Sequence, residues 1–143
     1  MLLDVCVDGQ PVKALFSGDT IMDREYWGDQ TLMVVGGRLA VSLIAAYPNC
    51  ELYWFLISAG YKTYRFLPVF FREFYPRFDT PTPAVIQSVI DHLSRARFGD
   101  RYDRGIVRTD ASQYYLRDGI AELSPRRLRD PHVRFFAAQN PGH

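Results

Sequence analysis

Two apolar-rich runs, residues 2–7 and 12–22, flank the polar stretch Asp8-Gly9-Gln10-Pro11. Asp-Gly between such runs is a strong hairpin signal, so the pattern predicts two antiparallel strands. Gly18 interrupts the second run and marks a bulge or a close backbone approach. From Gln30 to Tyr47 the chain is apolar nearly all round, which predicts a buried helix. Asp23 or Asp29 supplies its cap and Pro48-Asn49 its end. Gly36-Gly37 inside it costs about 1 kcal/mol per glycine and permits close packing on another backbone.

The run from Leu52 to Arg77, LYWFLISAGYKTYRFLPVFFREFYPR, holds ten of the chain's 21 aromatic residues. Its first part, residues 52–58, is apolar on both faces, the pattern of an internal, central strand covered by helices on both sides. A helix follows from Tyr61, with Thr63 at its first turn, a kink or restart at Pro68 and a stop at Pro76. Ligands of open α/β sheets bind where such a strand hands over to its helix, here Ser58-Ala59-Gly60. Thr82-Pro83 opens another helix, in which Ile86, Val89, Ile90 and Leu93 recur at helical spacing, and Gly99 stops it. Residues 100–105 read as a polar loop, and residues 106–107 and 114–116 as short strands. Asp130-Pro131 repeats the cap-then-proline signal before a last helix that places Val133 and Phe136 on one face. The fold class is α/β (α+β): a mixed sheet with an N-terminal β-hairpin, flanked by helices.

At 143 residues and 48% apolar composition, one domain over 1–143 is the default. The net charge of +1 gives no global attraction to nucleic acid or to an anionic membrane, and neither is expected as a partner. Residues 31–47 fall short of the roughly 20 apolar residues of a membrane span, and Arg38 sits in their middle. Fifteen of the 17 basic residues are Arg, which base composition of the genome explains. Cys6 and Cys50 belong to no ligand set and read as small buried thiols of a reducing cytoplasm. His92, His132 and His143 are scattered, so no metal site is assigned. Arg126, Arg127, Arg129 and Arg134 read as a solvated face beside acidic neighbours.

The order strand, strand, long helix, strand, helix resembles the second half of the GNAT superfamily of acyl-CoA-dependent N-acyltransferases. The segments LFSGDT, LYWFLIS, GYKTYRFLPVFFREFYPR and RDPHVRFF are also similar to an uncharacterised bacterial family that carries such a domain. The resemblance covers residues 2–77 as a partial GNAT-like core, with residues 78–143 as a helical appendage. It implies acyl-CoA as cofactor and transfer of an acyl group to a small-molecule amine. Asp19 or a water would act as base, Tyr61 or Tyr64 as acid to the departing thiolate, and Ser58 and Gln30 would face the cofactor. The superfamily grips the pyrophosphate with Gln/Arg-x-x-Gly-x-Gly/Ala at the start of the long helix. Gln30-Thr31-Leu32-Met33-Val34-Val35 stands there instead, so weak acyl-CoA binding, or none, is expected.

Each candidate has a plainer reading. Tyr61 and Tyr64 read more simply as packed residues with hydroxyls at the surface, and Asp19 and Asp23 as turn and cap residues. The alternative function is a non-catalytic domain that binds a protein partner or a hydrophobic ligand. The chain starts on a strand and lacks the elements that would cover the hairpin. A homodimer or a partner segment against Leu2–Val7 or the helix over 30–47 is therefore expected, and the chain reads either as a compact small domain or as part of a longer natural unit.

Overall fold

The computed structural model describes residues 1–18, 23–26, 29–108 and 122–141, with backbone alone at Arg24. The chain forms two compact units, Met1–Leu56 and Ile57–His143, so the division falls directly after a strand.

In the first unit, β1 (Leu2–Val7) and β2 (Gln10–Ser17) form the expected antiparallel hairpin. Val7 pairs with Gln10 across a two-residue turn in which Asp8 and Gly9 both take positive φ, 50° and 80°. Such a turn twists with the strands, and Asp-Gly tolerates its left-handed backbone. The second strand stops at Ser17, and residues 19–22 of the run predicted as strand lie outside the described residues. After a crossover through α1 (Thr31–Ala46), β3 (Glu51–Leu56) pairs with β2 in parallel, from Val12–Glu51 to Ser17–Leu56. The sheet is therefore mixed, in the order β1-β2-β3. Val7, Val12 and Ala14 are its buried residues, and Phe16 packs on its paired neighbour Phe55 at 5.6 Å between ring centroids.

Among the described residues β3 is an edge strand rather than the central one, and after exposed Glu51 it is half-buried throughout. The central place belongs to β2, which has the hairpin on one side and the crossover partner on the other. Helix α1, expected to be buried, has no buried residue. Its inner stripe, Met33, Gly36, Ala40 and Leu43, is half-buried at helical spacing, while Leu32, Val34, Val35, Leu39, Val41 and Ile44 are exposed. Among the described residues a Cβ on Gly36 or Gly37 would meet no atom within 4 Å, so none of their backbone lies against the glycine pair. Cys6, expected to be buried, is exposed, because it shares the open face of β1 with Asp4.

The second unit begins with two short helices, α2 (Tyr61–Tyr64) and α3 (Phe66–Phe70), in place of one kinked helix. The break falls at Arg65, and Pro68 sits in the first turn of α3, where its missing N–H would have had no intrahelical acceptor. Phe71 then turns extended, so residues 71–74 leave the helix. Tyr61, Tyr64, Phe74, Val133 and Phe136 form the core, with Leu67, Leu123, Leu128 and Phe135 packed on it. Helix α4 (Ala84–Phe98) buries Val89 and Leu93 and ends at Gly99, whose φ is 56°. The expected Thr82 cap is not made; Pro83 holds the N-cap place without a side-chain hydrogen bond. β4 (Tyr102–Asp103), which lies in the stretch predicted as loop, pairs with β5 (Ile106–Val107), the short strand expected there. The strand predicted over 114–116 lies outside the described residues. In α5 (Pro131–Gln139) the Asp130 carboxylate accepts from the His132 backbone N–H at 2.9 Å, the cap that the sequence indicated. Arg126, Arg127, Arg129 and Arg134 are exposed.

No helix of the described residues is long and apolar enough to cross a membrane. Nor do they contain a group of three or more His, Cys, Asp or Glu able to hold a metal ion.

Candidate functional site

The residues singled out from the sequence fall into two sets, one in each unit. In the first unit Asp19 lies outside the described residues, and Gln30 is exposed at the N-cap of α1. The amide that opens this helix is already engaged. The Asp29 carboxylate accepts from the Thr31 backbone N–H at 2.7 Å and from the Thr31 hydroxyl at 2.6 Å. The Thr31 side-chain bond, aided by the backbone bond, holds the Asp29 carboxyl below the usual carboxylate range. The helix N-terminus, where the partial positive charge of the macrodipole favours an anion, thus carries an anion of its own.

In the second unit Ser58 is half-buried, two residues past the end of β3. Tyr61 and Tyr64 are 3% and 5% exposed and belong to the core. The Tyr64 hydroxyl donates to the Pro76 carbonyl at 3.0 Å. Burial, as the main cause, pushes its pKa up to about 12. Its ring packs among Phe74, His132, Phe135 and Phe136, with centroids 5.8 to 6.5 Å away. The proton of Tyr64 therefore serves a carbonyl within the core, and the ring serves packing.

A polar cluster that sequence reasoning did not single out lies between α4 and the β4–β5 hairpin. Asp91 accepts from the Tyr102 hydroxyl at 2.6 Å and from the Gln87 amide at 2.8 Å, both at Oδ1. The Tyr102 bond, with help from Gln87 and Arg95, holds the Asp91 carboxyl below its ordinary range. Burial first, and the Asp91 carboxylate second, raise Tyr102 to about 12. Arg95 reaches Asp91 Oδ2 only at 3.8 Å, beyond hydrogen-bond length, and lies over the Tyr102 ring. Gln87, Asp91 and Arg95 are four residues apart and so share one helix face. That spacing was the signal available in the sequence.

No family model matches this chain, and neither a curated protein nor a solved structure does.

Proposed function

We propose that this chain is a non-catalytic binding domain of the cytoplasm, built on a plan like the second half of the acyl-CoA N-acyltransferases. The hairpin followed by a helical crossover to a parallel strand supports the plan. The observation that carries the loss of catalysis is the Asp29 carboxylate on the first amide of α1. A diphosphate brought to that helix end would meet a fixed negative charge and an occupied donor, where the superfamily offers bare glycine-rich backbone. Calorimetric titration with acetyl-CoA and with longer acyl-CoAs tests the reading. No saturable heat is expected. Tight binding of either would overturn it and restore the acyltransferase, with Asp19 as base, Tyr61 or Tyr64 as acid and an amine as acceptor.

The partner this reading favours is a second copy of the chain, docked on α1. Six large apolar side chains of this helix are 43% to 66% exposed. Val34, Val41 and Ile44 share one face of the helix with Gly37, while Leu32, Val35 and Leu39 lie on another, so a docked copy would cover one of these two groups. The open space over exposed Gly37 leaves room for a second helix to approach closely.

A further inference from the structure

We propose that the cavity between α4 and the β4–β5 hairpin binds a small organic oxyanion, a phosphate ester or a carboxylate, between Arg95 and Arg104. The cavity has a volume of about 510 Å³ and is lined by Gln87, Asp91, Arg95, Tyr102, Asp103 and Arg104, all of them polar. That volume suits a small ligand. Most of the lining satisfies itself. Asp91 is held by Tyr102 and Gln87, and Asp103 pairs with Arg108 at 3.0 Å. The donors left over are the two guanidinium groups. Arg95, with its side chain 65% exposed, touches a carboxylate only at 3.8 Å. Arg104 makes no hydrogen bond or ion pair among the described residues. A guanidinium presents paired N–H donors that match an oxyanion, and its charge strengthens each bond.

The backbone makes the same point independently. Asp103 pairs with Ile106 across a two-residue turn in which Arg104 has φ 47° and Gly105 φ 89°. The hairpin of the first unit has the same turn, with φ 50° and 80°, and fills it with Asp8-Gly9. Asp and Asn tolerate the left-handed first position because a short polar side chain bonds locally; Arg has no such device. One chain therefore uses the favoured residue at one turn and a disfavoured one at the other. The disfavoured residue lines the cavity. Strained backbone clusters at binding sites and ligand clamps, so a left-handed arginine lining a cavity is a candidate contact for what binds there.

Titration of the whole chain, followed by NMR chemical shifts, tests this with glycerol phosphate and with succinate as separate probes. Saturation at or below about 1 mM by either probe is expected, and the tighter of the two identifies the class of anion. Arg95→Gln and Arg104→Asn should each weaken that binding at least tenfold. Arg101→Gln, which removes an equal charge outside the cavity lining, should leave it unchanged. Arg104→Asn should also raise Tm, by about 4 °C, because Asn-Gly suits the turn. Three results would overturn the proposal: no saturation by either probe, equal losses in all three variants, or a fall in Tm for Arg104→Asn.

Discussion

Asp130 shows how much one side chain can hold together in a chain with few long helices. Its carboxylate caps α5 through the His132 amide and reaches Arg65 Nε, between α2 and α3, at 3.0 Å. The two roles differ in weight. An N-cap lost to Ala costs about 0.5–2 kcal/mol. An ion pair whose side chains are 39% and 27% exposed is screened and is worth about 0–1 kcal/mol. Asp130→Ala should therefore destabilise the second unit by about 1–2 kcal/mol in chemical denaturation, while Asp130→Asn keeps the cap and most of the stability. Equal losses in the two variants would assign the role to the ion pair. The cap was legible in the sequence because Asp-Pro at a helix start acts through neighbouring residues alone. The same holds for Asp8-Gly9. Arg104-Gly105 was not legible, since an arginine at the first turn position disguises the hairpin that begins at Tyr102–Asp103.

At the scale of elements, burial proved harder to read than type. The helix over 30–47 and the strand over 52–58 both exist, but their apolar faces were assigned to a buried core. Periodicity reports which residues avoid water. It does not report which surface meets them, and that depends on segments far away in the chain. Tyr61 and Tyr64 illustrate the converse: their place after a strand suggested chemistry, and the structure places both in the core of the second unit. Helix α1 offers a direct test of its surroundings. Gly36 and Gly37 each weaken a helix interior by about 1 kcal/mol relative to Ala, and here a methyl group has free space. Gly36→Ala and Gly37→Ala should thus stabilise the isolated chain by about 0.5–1 kcal/mol each. If a second copy docks on the exposed face of α1, the methyl group at position 37 holds the two helices apart. Light scattering coupled to size-exclusion chromatography should then show a dimer for the parent chain and a shift toward monomer for Gly37→Ala. A parent chain that stays monomeric across micromolar concentrations would remove the dimer.

For the molecule as a whole, the titrating groups of the second unit set two windows of pH sensitivity. Asp79 and Asp91 are held below the ordinary carboxylate value by Arg77 and by Tyr102 respectively. In that range the unfolded chain binds the proton more readily, so their stabilisation is complete above about 4 and is lost as pH falls through the lowered folded values. Tyr64 and Tyr102 behave in the opposite sense, since burial raises both from 10.0 to about 12. Here the unfolded chain gives up the proton first, so stability is complete below pH 10 and declines between 10 and 12. Asp91 and Tyr102 are partners in one hydrogen bond, which couples the two windows. Tyr102→Phe deletes one alkaline group and leaves Asp91 with Gln87 as its remaining donor. Thermal unfolding followed from pH 2 to pH 12, with tyrosinate absorbance read in parallel, should then show two changes together. The acid limb should move upward in pH, because Asp91 returns toward its ordinary value, and the alkaline limb should become shallower, with Tyr64 left to account for it. A variant whose acid limb stays in place would show that the Asp91–Tyr102 bond does not govern the Asp91 carboxylate.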